Sequence, residues 1–246
     1  MIRARDMLGV GIYSPAEAAL YARVQTQLVT RWLYGTARDE PVIQPQLGED
    51  EKTVSFLDFV QAMAIRQIRN EARIPMSKVR EAYLRARADF GVEYPFALDH
   101  TRIGRFGPPD KPKYQDIWIC IDPDDKQSRK FFQLTGKKFG SQLIGEVVLT
   151  YAERLTYNDA HLATEFIAWP AASPSVVQST QQILMNPDVR FGEPYLSESG
   201  YTASTLYDAY RCEGSIEQVA DLYEVSPDDV RMSIDYFDYL KPPTAA

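Results

Sequence analysis

Cysteine and histidine are scarce in this chain, with two of each among 246 residues. Cys120 and Cys212 stand far apart. That excludes a disulfide framework and suits a reducing cytoplasm. His100 and His161 share no metal-ligand spacing with the cysteines, so no zinc site is expected. There is no apolar run of membrane-spanning length. The opening MIRARDMLGVGIYS has basic residues but no apolar stretch, so no secretory signal is expected. The motifs G-x-x-x-x-G-K-[ST], G-x-G-x-x-G and G-x-S-x-G are all missing. Asp122, Asp124 and Asp125 cluster without the glycine and closing glutamate of a calcium loop. Asn158-Asp159-Ala160-His161 has no nucleophile beside it and reads as a turn. The expectation is a cytoplasmic protein that is not an enzyme, with no cofactor and no metal.

Apolar residues make up 45% of the chain, enough for a globular core. The formal net charge is −7. Such a charge opposes nonspecific nucleic-acid binding by the molecule as a whole. The distribution is uneven, however. Arg3, Arg5, Arg23 and Arg31 outnumber Asp6 and Glu17 before Thr36, and acids gather toward the C-terminus. Screening over roughly 10 Å lets a basic head on an acidic body bind DNA locally.

The stretch from Ser14 to Tyr34 reads as a helix-turn-helix. Ser14, Pro15 and Glu17 form a capping box with proline in the first turn. Ala16, Ala19 and Leu20 recur at helical spacing. A second helix starts near Thr26, with Leu28, Val29, Trp32 and Leu33 as its packing stripe. Thr26, Gln27, Thr30, Arg31 and Tyr34 form its polar stripe. These hydroxyls, amide and guanidinium are groups that reach DNA. A plain helical hairpin with a solvated face is the competing reading. Arg23 occupies the turn, where glycine is common. A left-handed backbone there costs roughly 1 kcal/mol or more, so a different turn is expected.

Val42-Ile43 and Thr53-Val54 could pair as a wing, with the acidic tip Glu49-Asp50-Glu51. Ser55 with Asp58 starts a helix whose core face is Phe56, Leu57, Val60, Met63, Ala64 and Ile68. Its arginines, Arg66, Arg69 and Arg73, could assist DNA binding or simply be solvated. Ser77 caps the next helix, with Val79, Ala82, Leu84 and Ala86 packing and Gly91 as the stop. Strands are expected over Arg102–Phe106, Asp116–Ile121, Phe131–Leu134 and Leu162–Trp169. A helix is expected from Ser141 to Arg154, after a turn holding Lys137 and Lys138. Ala171–Ser175 reads as a linker. Three short helices follow, over Thr202–Cys212, Ser215–Tyr223 and Ser226–Leu240. Val219, Leu222, Val230, Ile234 and Phe237 are their expected core, Ser215 with Gln218 an expected capping box, and Ser226, Pro227 and Asp229 a repeat of the opening cap signature. The last two are spaced like a second helix-turn-helix, but their acids repel phosphate. Protein contacts suit them better.

The fold class expected is mainly α with a small α+β middle layer. It comprises an N-terminal winged helix-turn-helix (1–97), an antiparallel-sheet region (98–170) and a C-terminal three-helix module (171–246).

Three pieces resemble one family. Gly11–Ala19 with Thr30–Leu33 looks like the MerR-like opening of VapB-type antitoxins. Val54–Val60, the helix after Ile74 and Tyr94–Ala97 resemble their next segment. Asn186–Pro194, Gly214–Ala220 and Ser226–Val230 look like their C-terminal domain of unknown function. The resemblance implies an antitoxin of a type II toxin–antitoxin pair, usually a homodimer. Such a protein represses its own operon on double-stranded DNA and neutralises a PIN-domain ribonuclease toxin. It implies no membrane partner. Thr26, Gln27, Thr30 and Arg31 become the implied DNA readers, with Tyr34 and Arg23 beside them. A solitary regulator, or an interaction scaffold without DNA binding, are the alternatives.

Overall fold

Hydroxyl side chains that hold the backbone N–H three residues on set where several helices begin. The computed structural model describes residues 9–48, 52–70, 72–99, 101–106, 114–121, 130–135, 142–143, 154–169 and 180–241. In order, the elements are α1 (Pro15–Ala22), α2 (Thr26–Tyr34), α3 (Phe56–Asn70), α4 (Met76–Phe90), β1 (Thr101–Phe106), β2 (Tyr114–Ile121), β3 (Lys130–Gln133), β4 (Gln142–Leu143), β5 (Leu155–Tyr157), β6 (Ala163–Trp169), β7 (Ile183–Met185), β8 (Tyr195–Leu196), α5 (Ala203–Glu213), α6 (Ile216–Tyr223) and α7 (Pro227–Leu240). Ser14 and Glu17 form a reciprocal cap on α1, and Ser226 and Asp229 do the same on α7. Ser55 and Asp58 cap α3 likewise, at 3.3 and 3.1 Å. Ser215 accepts from Gln218, but its hydroxyl donates to Glu217 and no reciprocal box forms. Ser77 caps nothing: α4 starts a residue earlier, after Pro75 at the N-cap.

Two antiparallel sheets complete a mixed α/β architecture, in the orders β1-β2-β3-β4 and β5-β6-β7-β8. The second sheet takes β7 and β8 from beyond the Ala171–Ser175 stretch and pairs β7 with β6. That stretch, Glu49–Glu51, Asp122–Asp125, Lys137, Lys138, His100, and Arg3, Arg5 and Asp6 lie outside the described residues. So does most of the helix expected over 141–154. Its described start, Gln142–Leu143, is strand β4.

The middle of the molecule is α3. Its first ten residues are all buried, so amphipathic patterning gives way to burial on every side. The Phe59 ring meets Tyr13, Phe56 and Phe166 at centroid distances of 5.6, 6.3 and 5.8 Å. One buried cluster runs from Tyr13 through α3 and the second sheet to Leu240. The two chain ends are tied directly: Tyr13 Oη donates to the Gly192 carbonyl at 2.7 Å, and the Ile12 amide to the Phe191 carbonyl at 3.0 Å.

The expected wing does not form as drawn. The amides of Val42 and Ile43 donate to the Trp32 carbonyl, at 2.7 and 2.9 Å, and satisfy an acceptor left bare near the end of α2. Val54 instead exchanges both backbone hydrogen bonds with Tyr13, at 2.9 and 2.8 Å. Four leucines expected to pack are also exposed: Leu20, Leu28, Leu84 and Leu222. On α4 the buried stripe is Val79, Ala82, Tyr83 and Ala86, which leaves Leu84 on the opposite side.

Asp58 is fully buried and accepts from the Gln46 and Ser55 amides. Burial outweighs these bonds and pushes its carboxyl up to about 6. A raised folded value means the folded state holds the proton more tightly. This stabilisation is complete below the unfolded value of about 3.9 and is lost as pH rises through about 6. Denaturant titrations of the wild type and Asp58→Asn at pH 4 and pH 7.5 check this. The wild type is expected to lose about 2–3 kcal/mol relative to the variant over that range. An unchanged gap between the two would contradict a buried, proton-holding Asp58.

Candidate nucleic-acid interface

The turn between α1 and α2 takes three residues. Arg23 is left-handed, at φ 53° and ψ 48°. Val24 reaches back with its amide to the Ala19 carbonyl at 2.9 Å, and Gln25 is extended at the N-cap of α2. The expectation of another backbone at Arg23 is therefore overturned. The reason lies far along the chain: the guanidinium carbon sits 3.9 Å from the centre of the Tyr239 ring. Stacking of this kind offsets about 0.5–2 kcal/mol, comparable with the left-handed cost.

The same turn recurs between α6 and α7. Glu224 is left-handed at φ 54°, the Val225 amide reaches the Ala220 carbonyl at 3.0 Å, and Ser226 is the N-cap. The two pairs share a backbone and differ in charge. Around the second turn Glu217, Asp221, Glu224 and Asp228 are all exposed. Arg231 is engaged there by Asp228 at 2.8 Å and Glu217 at 3.8 Å.

On α2, Val29, Trp32 and Leu33 face the core, while Thr26, Gln27 and Arg31 are exposed. The other candidates are more tied. Thr30 is half-buried and its hydroxyl donates to the Thr26 carbonyl at 3.0 Å. Tyr34 is half-buried and its hydroxyl donates to the Thr53 carbonyl at 3.0 Å. Burial there pushes its phenol up to about 12, with the Asp58 charge adding to it. Arg31 forms an ion pair with Asp39 at 2.5 Å, half-exposed on both sides. An ion pair this open contributes about 0–1 kcal/mol, so Asp39 is readily exchanged for another anion.

Three clefts flank this surface, of about 1110, 300 and 170 Å³. The largest opens between α1, α2 and α3, with Thr26, Gln27 and Leu28 on its rim. The second lies beside Arg31 and the third beside Arg154 and Tyr239. All three are lined by Arg66, and among the described residues no carboxylate lines any of them. In a chain of net charge −7 this is a local excess of arginine. The sequence left Arg66 between assisting DNA binding and being a solvated residue, and did not single it out from Arg69 and Arg73. The available signal was that α3 holds no acid after Asp58. The half-buried Asp99–His161 pair, at 3.2 Å, lies elsewhere, and its acid is not the neighbouring Asp159. No group of metal-ligating side chains occurs among the described residues. No described helix is long and apolar enough to cross a membrane.

Comparison with known proteins gives three results. Residues 183–237, from β7 into α7, match a family described as Protein of unknown function (DUF433). The chain is 23% identical over 237 residues to a Mycobacterium tuberculosis protein named "Putative antitoxin VapB45", covering 92% of this chain and 93% of that one. The X-ray crystal structure of Rv2018 from Mycobacterium tuberculosis is similar with a TM-score of 0.56 and 18% identity, over 93% of this chain and 99% of that chain. Both likenesses run nearly end to end, so the shared fold is that of the whole molecule rather than of one helix pair.

Proposed function

We propose that this protein is the antitoxin of a type II toxin–antitoxin pair, a binding protein rather than an enzyme, and that it represses its own operon. The helix pair α1–α2 acts as a helix-turn-helix, with α2 entering the major groove of double-stranded DNA. Thr26, Gln27 and Arg31 are its forward residues. Thr30 and Tyr34 brace the helix from behind, and Arg23 locks the turn. As a homodimer the protein would address two half-sites about 34 Å apart. The acidic α6–α7 face takes the protein partner, a PIN-domain ribonuclease. The name of the relative supports the antitoxin role. The single observation that carries the DNA-binding part is the pairing of an exposed α2 face with clefts free of carboxylates.

An anisotropy titration on a duplex from the protein's own upstream region tests this. Gln27→Ala is expected to weaken binding about tenfold, the value of one good base contact. Arg31→Ala is expected to weaken it more, because Asp39 is then left bare beside the groove. Wild-type affinity in both variants would remove α2 from the interface. Co-purification with the product of the adjacent gene tests the toxin half.

A further inference from the structure

We infer that the three clefts around Arg66 form one phosphate-binding channel, occupied by the sugar-phosphate backbone of the duplex whose groove α2 enters. This deepens the DNA-binding proposal and rests on it. Arg66 is the hub, since it lines every one of the clefts. Its Nε–H is buried and has no hydrogen-bond partner. A guanidinium stays charged at any ordinary pH, and a half-buried cation without a counter-charge is costly. An anion in the cleft removes that cost.

The neighbours are arranged for the same anion. Arg69 donates to the Ile74 carbonyl at 2.7 Å, and Arg80 to the carbonyls of Glu40 and Pro41 at 2.7 and 2.9 Å. Backbone carbonyls orient these guanidinium groups without neutralising them. Both line the second cleft with Arg31 and Arg66. Planar guanidinium forks suit phosphate oxygens. The first two clefts share Val24, Leu28, Arg66 and Asn70 and lie beside Gln27 and Arg31, and the third joins the first through Arg23 and Arg66 and leads on to Arg154. An extended strand of diesters fits that run better than one small molecule does.

The test uses the full chain and Arg66→Gln, with a thermal melt to show equal folding. The variant should stay folded, because Arg66 makes no hydrogen bond or ion pair among the described residues. Affinity for the upstream duplex and for an unrelated duplex is measured over a range of salt. Expected is a loss of about tenfold on both duplexes, with a salt slope lower by about 1. If duplex binding is intact and Arg66→Gln leaves affinity and slope unchanged, the channel is overturned while the reading helix stands. If no duplex binds even at low salt, the phosphorus NMR signal of inorganic phosphate is followed instead. Broadening by the wild type but not by Arg66→Gln then keeps the site and assigns it to a free phosphate ligand. Broadening by neither overturns both.

Discussion

Gly192→Ala is expected to destabilise the protein by about 3–5 kcal/mol and to lower its melting temperature by roughly 10 °C or more. Gly192 sits at φ +88°, a left-handed backbone that alanine adopts only at a cost. A Cβ there would fall inside the hydroxyl of Tyr13 and 2.9 Å from its ring carbon. Tyr13 cannot easily step aside. It is 2% exposed, and its hydroxyl donates to the carbonyl of that same glycine. Its ring packs on Tyr21 and Phe59. Adding Tyr13→Phe to Gly192→Ala should return part of the loss, since the nearest clashing atom is gone. Gly200 is the control: it also has positive φ, but nothing lies within 4 Å of its would-be Cβ. Gly200→Ala is expected to cost about 1 kcal/mol. Equal losses at the two glycines, read by urea denaturation, would contradict the contact between the N-terminal helices and the turn before β8.

Phe59→Ala is expected to cost a similar amount, about 3–5 kcal/mol. Phe59 is fully buried and its ring joins Tyr13 and Phe56 to Phe166 on β6. Truncation empties the junction between α3 and the second sheet. Collapse into that void is hindered, because α3 is enclosed on every side through this stretch. Ring pairing adds about 0.5–1.5 kcal/mol per pair beyond the area buried. Phe191, 56% exposed, is the matched control, and Phe191→Ala should change stability by less than about 0.5 kcal/mol. A loss below about 1 kcal/mol for Phe59→Ala would mean that α3 does not couple the N-terminal helices to the sheet.

What was legible in the chain follows from the range of the interaction that decides it. The caps at Ser14, Ser55 and Ser226 are settled within four residues, and all three were readable. So were β1, β2, β3 and β6, the left-handed stop at Gly91 and the packing face of α3, whereas β4 falls where a helix is expected and β5, β7 and β8 where no strand is. Arg23 was misjudged because its left-handed turn leans on Tyr239, at the other end of the chain. The wing was misjudged because Val54 has a better partner in Tyr13, and Trp32 needs the amides of Val42 and Ile43. Leu20 and Leu28 fit a helical stripe by spacing, yet both are more than a third exposed, and they border the largest cleft. Periodicity gives the side of a helix that is apolar, not what stands opposite it. The arginine clefts were least legible. Six arginines from five segments surround them: Arg23, Arg31, Arg66 and Arg69 on α3, Arg80 and Arg154. Their meaning comes from the carboxylates that are not there, which only the fold reveals.

The repeated turn sharpens the functional contrast. Two helix pairs share one backbone, with arginine at the left-handed position of the first and glutamate at that of the second. On the proposed reading, phosphate is attracted by one surface and repelled by the other. Division of labour within a single chain then needs no difference in fold, only in charge.

The duplex titration decides this most directly when Gln27→Glu is set beside Asp221→Lys. Both positions are exposed, and they belong to the first and second helix pair respectively. The account predicts that Gln27→Glu loses affinity by about tenfold or more, and that Asp221→Lys binds at least as tightly as the wild type. Unaltered binding by Gln27→Glu, together with a loss on changing Asp221, would contradict it.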